Sequence, residues 1–159
     1  MANVLVAVDS PMVRTDLKRF LNSDPSLKHV HYVDCGEPLI EALWDENWDL
    51  LILGLTPPDR NSLDILFHLT SKYQAPVLVA GGMPDLRYAR WVLRSGAAGY
   101  FLDDAGHAEL LHAVHKVLSG RFYMSLPMAQ LVIASVISNG RTKWKTKPLG
   151  KETHRDKAA

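Results

Sequence analysis

The sequence has a single cysteine, Cys35. That excludes an internal disulfide and a cysteine-based zinc site, and leaves Cys35 as a small hydrophobe expected to pack inside. It has no apolar stretch long enough to span a bilayer. The opening Met1-Ala2-Asn3 lacks the basic residues of a signal peptide, and the apolar run after it stops at Asp9. No membrane contact is expected, and a cytoplasmic location follows. Internal repeats are absent. Most telling, the segment that reads as the central strand ends on a residue with no nucleophile, acid, base or metal ligand.

What is present suits one domain with a full core and a tail: 159 residues, 47% hydrophobic and 22% charged, too short for two comfortable domains. The net charge of +1 hides a division. From Arg141 to Lys157, seven Lys/Arg face only Glu152 and Asp156, a net of +5, which leaves 11 Lys/Arg and 15 Asp/Glu, a net of −4, in the body. With almost no apolar residues besides Trp144 and Leu149, residues 140–159 read as a basic, disordered tail.

The central stretch is Trp48-Asp49-Leu50-Leu51-Ile52-Leu53-Gly54-Leu55-Thr56-Pro57-Pro58. Leu50 to Leu55 is too short for a core helix, and the double proline continues neither strand nor helix. The run therefore predicts a strand buried on both faces, as in a parallel sheet. In an open parallel sheet the working site lies beyond the carboxyl ends of the strands. Gly54 sits there.

Asn3–Val8 predicts a first strand, followed by a helix that Asp9 or Ser10 caps and Pro11 opens. Its apolar stripe is Met12, Val13, Leu17, Phe20 and Leu21, with Arg14, Asp16, Lys18 and Arg19 on the wet side. His29–Asp34 predicts a second strand, and Gly36-Glu37-Pro38 leads into a helix carrying Leu39, Ile40, Leu43 and Trp44. A third helix follows over 62–72, then a strand over 76–80, and a helix from about Asp85 to Ser95 closed by Gly96. Gly99–Leu102 is the fifth strand. Asp103-Asp104-Ala105-Gly106 opens a helix ending at Gly120, and Arg121–Met124 bridges to a last amphipathic helix over about 127–139. Five strands alternating with five helices imply right-handed crossovers: an α/β, doubly wound, five-stranded parallel sheet, with a sixth C-terminal helix and the basic tail.

The order and the turns resemble the receiver domain of two-component response regulators, the CheY-like, flavodoxin-like group, and most of all receivers that precede a LuxR-type helix-turn-helix output domain. The residues that carry the resemblance are Val4-Leu5-Val6-Ala7-Val8-Asp9-Ser10-Pro11-Met12-Val13-Arg14, the central strand with its prolines, Gly96-Ala97-Ala98-Gly99-Tyr100-Phe101-Leu102, and Glu109-Leu110-Leu111 with Ser119-Gly120. It spans roughly residues 3–126, within a receiver-like domain expected over 1–126.

The resemblance implies a phosphoacceptor aspartate, an acidic pair that holds Mg²⁺, a Thr or Ser, and a Lys. In this sequence those positions fall on Gly54, on Val8 and Asp9, on Gly81, and on Asp103. Only Asp9 matches. In the family the carboxylate attacks phosphorus, Mg²⁺ neutralises the transferring group, and the hydroxyl and Lys engage the phosphate oxygens. Asp9 with a backbone carbonyl near Thr56 is a poor remnant of an octahedral oxygen set, so no cofactor is expected. Asp103 adds repulsion worth about 1–4 kcal/mol against an anion a few ångströms away.

Asp9 reads as a relic, a helix cap, or half of a cation site with Asp103 and Asp104. Asp103-Asp104 also suits the positive end of a helix dipole. His107, His112 and His115 lie along one helix and His29 and His31 along one strand, a pattern of solvated or packed histidines with no third ligand at metal spacing. Gly81-Gly82 reads as a tight turn, with an anion nest as the alternative. Tyr100, matching the receiver's switch aromatic, is either a fixed interface residue or core. Trp44 and Trp48 read as core or helix-end packing. Arg87, Tyr88, Trp91 and Tyr100 form a candidate interface, of the residue types that anchor partners.

These features point to a pseudo-receiver that is not an enzyme, takes no small-molecule substrate, and works in signal transduction or transcription regulation by binding a protein partner or itself. The alternatives are a nucleic-acid-binding regulator, using the tail residues Arg141, Lys143, Trp144, Lys145 and Lys147 or a missing helix-turn-helix, and an enzyme. A short basic tail of this kind would bind nucleic acid weakly.

Overall fold

Leu50, Leu51, Ile52 and Leu53 expose 3% or less of their surface, because the strand they form has a strand on each side and a helical layer on each face. The computed structural model describes residues 1–45, 47–55, 60–82 and 84–140. Along this stretch β1 (Ala2–Ala7), α1 (Pro11–Leu21), β2 (Leu27–Val33), α2 (Glu37–Asp45), β3 (Leu50–Leu55), α3 (Arg60–Lys72), β4 (Val77–Gly81), α4 (Leu86–Ser95), β5 (Gly99–Leu102), α5 (His107–Leu118), β6 (Tyr123–Met124) and α6 (Leu126–Gly140) follow in order. All strand pairs are parallel, in the order β2-β1-β3-β4-β5-β6. The doubly wound α/β architecture predicted from the alternation of elements is the one observed.

The sheet has six strands, not five. Tyr123–Met124, read from sequence as a bridge, pairs with Gly99 and Tyr100, too short a strand to show a period of two. Gly99 is what permits it: a Cβ there would collide with the Tyr123 carbonyl oxygen and lie 3.1 Å from Leu78 Cδ1. Ser125 then locks the join, its N–H donating to Tyr100 O (3.0 Å) and its Oγ accepting from Leu102 N (2.9 Å). From there α6 starts at Leu126.

One face of the sheet carries α1 and α5 over Val4, Val6, Ile52 and Phe101; the other carries α2, α3, α4 and α6 over Leu5, Leu51, Leu53 and Val79. Met128 of α6 is fully buried in that second layer, beside Ala89 and Val92 of α4. Ser10 caps α1 by accepting from Val13 N (3.4 Å), Asp85 caps α4 by accepting from Arg87 N (2.8 Å), and Gly96 closes α4 at φ 85°. Three apolar expectations fail on exposure. Met12 is 76% exposed, Ile40 54% and Trp44 78%, each on the outward side of a helix whose inward stripe is narrower than its apolar content. Trp48 is half-buried, donating from Nε1 to Ala42 O (2.9 Å) and stacking on His29 and His31.

A polar clasp closes the α1/α5 side. Asp24, 8% exposed, accepts from Ser26 N (2.9 Å), Ser26 Oγ (2.7 Å) and His115 Nε2 (2.6 Å), which ties α5 to the turn before β2. Burial pushes this carboxyl up, but the Ser26 and His115 bonds outweigh it and hold the pKa below its ordinary 3.8. A carboxyl lowered by folding stabilises the fold fully above its unfolded pKa and loses that contribution as pH falls through the folded value. Asp24→Asn is therefore expected to cost about 1–2 kcal/mol at neutral pH. In urea denaturation the difference from the parent protein should shrink once the pH drops below 3.8.

Candidate functional site

β1, β3 and β4 end side by side, with Ala7 paired to Leu53, Gly54 to Ala80 and Leu55 to Gly81. This register brings the ends of these strands to one edge together with the end of β5, whose Leu102 pairs with Gly81, and Val8, Asp9, Gly54, Gly81 and Asp103 lie along it. Thr56 lies outside the described residues, as do Arg141, Lys143, Trp144, Lys145 and Lys147.

Two side chains occupy the space above the two glycines. Val8, 2% exposed, stands over Gly54, where a Cβ would fall 2.9 Å from Val8 Cγ2 and 3.3 Å from Cγ1. A β-branched side chain at a strand end has little freedom to step aside. The ring of Tyr100 lies over Gly81 so closely that its hydroxyl overlaps the place a Cβ would take. Tyr100 is 1% exposed, and its hydroxyl is pushed up to about 12 by burial first, then by the charges of Asp103 and Asp85. Of its two predicted roles, core is the one observed, and it drops out of the exposed interface proposed with Arg87, Tyr88 and Trp91. Gly81 itself is the last residue of β4, not part of the turn.

Asp9 caps no helix. Its Oδ1 accepts from Cys35 N (2.8 Å), tying the loop after β1 to the loop after β2. Cys35 is half-buried, and burial together with the neighbouring Asp9 carboxylate raises its thiol to about 12, which leaves it protonated and unreactive at neutral pH. Asp103 and Asp104 also cap nothing, since α5 begins at His107 after Gly106, without a side-chain cap. Asp103 is half-buried, donates its backbone N–H to Gly81 O (2.9 Å), and has its carboxyl raised by burial and by the charges of Asp104 and Asp16.

Sequence reasoning missed Arg14, placed on the wet side of α1. It folds back over the strand end instead: Nη2 donates to Val8 O (2.5 Å) and pairs with Asp34, while Nε is buried without a partner among the described residues. Its position four residues after Ser10 was visible, but the reach of its side chain across to the end of β2 was not. The histidines divide. His115 meets Asp24, His112 packs edge-on to Tyr123, and His107 stacks on Phe20 with a ring nitrogen 3.0 Å from Ser23 Oγ. Among the described residues no three His, Cys, Asp or Glu side chains gather as a metal site.

On the helical face, Arg87 is exposed and held by Asp85 (3.0 Å), and its guanidinium lies 5.6 Å from the half-buried Tyr88 ring. Trp91 is 44% exposed and meets Phe67 edge-on. β5, an edge strand in a five-stranded sheet, here pairs with β6.

The response regulator receiver domain model matches residues 4–115. The nitrate/nitrite response regulator protein NarL of Escherichia coli is 30% identical over 142 residues, 89% of this chain and 66% of that protein. The response regulator GacA of Pseudomonas aeruginosa is 29% identical over 131 residues, covering 82% of this chain and 61% of that one. The chain thus spans a little under two thirds of these curated relatives. Among solved structures, a LuxR-family two-component response regulator from Aurantimonas sp. SI85-9A1 superposes with a TM-score of 0.75 at 24% identity over 86% of this chain and 99% of that one. The isolated REC domain of RcsB from Salmonella enterica serovar Typhimurium gives 0.73 at 18% identity, over 82% and 97%. No described helix is long and apolar enough to cross a membrane. A match that runs from β1 into α5, with the strand order to go with it, means that the chain belongs to the response regulator receiver domain family.

Proposed function

We propose that this chain is a receiver-type regulatory module that works without accepting a phosphoryl group on its central strand, and that acts in signal transduction or transcription regulation through protein contact. The observation that carries this is the filled space above Gly54. Residue 54 has no acceptor atom, and the Val8 methyl groups stand where a side chain from it would begin. The neighbouring groups point the same way. Asp9 spends Oδ1 on Cys35 N, Val8 is apolar and Gly54 offers only backbone, so these residues do not fit the near-octahedral oxygen set that Mg²⁺ requires. Asp103 puts a carboxylate at the edge where an anion would need a cation. A nucleophile, a metal and a counter-charge are each required for phosphoryl transfer, and none is supplied by these positions.

Filling the edge has a second effect. With Val8 over Gly54 and Tyr100 over Gly81, the edge is packed in one arrangement. A module in this arrangement signals by whether its partner is present. The names of its relatives, response regulators in every case cited, support a signalling role over an enzymatic one.

Incubation with acetyl phosphate and Mg²⁺ is expected to leave the intact mass unchanged; a base-labile phosphoryl adduct would sink the proposal. The packing behind it has its own test. Gly54→Ala removes an entropic cost of about 0.5–1 kcal/mol. The Val8 clash should outweigh that gain, since overpacking costs about 1–3 kcal/mol. The variant should therefore be less stable in urea denaturation. Combining it with Val8→Ala should show a favourable coupling of at least about 0.5 kcal/mol in the double-mutant cycle, and strict additivity would mean that Val8 does not occupy the site.

A further inference from the structure

The sheet face covered by α2, α3, α4 and α6 carries more exposed apolar bulk than the face under α1 and α5. Ile40 and Trp44 on α2 are 54% and 78% exposed, Leu93 on α4 is 40%, and Ile133 and Val136 on α6 are 58% and 64%. Within α1 and α5 themselves, Met12 is the one large apolar residue so exposed. Charge on three of these four helices is sorted, while α3 carries Arg60, Asp64 and Lys72. The nine residues of α2 include Glu37, Glu41 and Asp45 and no Lys or Arg; α4 includes Arg87, Arg90 and Arg94 and no acid; α6 has no charged residue at all. Between α4 and α6 runs an open groove of about 410 Å³, with Leu93, Val132 and Val136 in it and Arg90 and Arg94 on its rim.

We propose that this face is a homodimer interface, in which α2 of each copy lies in the α4/α6 groove of the other. The occupant follows from complementarity within one chain. A two-fold axis parallel to the helices and close to α3 turns the face over, so the acidic, apolar ridge of α2 meets the basic, apolar groove of α4 and α6. The same contact is then made twice, as isologous pairing requires. Such an axis leaves position along the helices unchanged, and the side chains it would pair keep the same spacing on both helices. Glu41 is the fifth residue of α2 and Arg90 the fifth of α4; Trp44 is the eighth of its helix and Leu93 the eighth of its own, with Asp45 and Arg94 both ninth. Four helices side by side give a face of about 35 Å by 20 Å, or about 700 Å². A stable dimer of ordinary size buries about 800 Å² per partner, so the face suffices with its rims included. The basic segment after α6 is a poor occupant, since its net charge of +5 repels the arginine rim.

This interface deepens the contact-driven function proposed above and rests on it, while the phosphodonor result stands whether or not the dimer forms. Sedimentation velocity on the full chain should show a reversible dimer. The pair Arg90→Glu with Arg94→Glu, and separately the pair Glu41→Arg with Asp45→Arg, should each raise the dissociation constant by about 100-fold, as two attractive pairs at each of two contacts become repulsive. Mixing the two monomeric variants should yield a heterodimer, since every contact is then attractive again. Circular dichroism of each variant should match the parent, because all four side chains are exposed. A parent chain that stays monomeric at every concentration, a dimer indifferent to both reversals, or variants that fail to pair when mixed would each overturn the proposal.

Discussion

Two missing Cβ atoms constrain the carboxyl edge of this sheet. At Gly54 the space goes to Val8 from the next strand on one side, and at Gly81 it goes to the ring of Tyr100 from the next strand on the other. Neither substitution makes sense alone. A side chain at residue 54 would drive Val8 out of a core where it is 2% exposed, and one at residue 81 would drive out an aromatic ring that is 1% exposed. Protein interiors are packed closely enough that each small residue implies a large neighbour. Here Val8 follows β1 beside β3 and Tyr100 lies on β5 beside β4, so the strand order itself converts two sequence positions into one closed surface.

Closing that edge is linked to the other end of the sheet. Tyr100 turns its side chain towards Gly81 while its backbone accepts from Ser125 N, and Ser125 Oγ accepts from Leu102 N. These bonds set where β6 ends and α6 begins, and Met128 then drops into the layer beside α4. The result is a helical face broader by one helix than five strands and five helices would make, with acidic residues on α2 and arginines on α4. The groove between α4 and α6 exists because β6 exists, and β6 exists because Gly99 lets the Tyr123 carbonyl come close.

Much of this was legible in the residues. Short apolar runs set apart by Pro and Gly gave away the strands, and the alternation of elements dictated a parallel doubly wound sheet, because right-handed crossovers leave few alternatives. The positions at the strand ends were equally legible, since their chemistry is written in residue identity: Gly54 lacks an acceptor in any fold. Local capping was less certain. Asp9 and Ser10 are both good caps; Ser10 takes the role, while Cys35 N, from a loop distant in sequence, donates to the Asp9 carboxylate.

The sequence by itself determined the class of the fold, the order of its elements and the glycines at the ends of two strands, all of which depend on residue type and local period. Tertiary structure alone decided which side chains fill the vacant positions, that Tyr100 is core, that Arg14 turns inward, that Trp44 faces water, and that a two-residue strand extends the sheet. The physical reason is range. Helix and strand propensity act over a few neighbours along the chain, whereas burial, hydrogen-bond competition and a neighbour's reach are set by residues brought together across the sheet, and no periodicity records them.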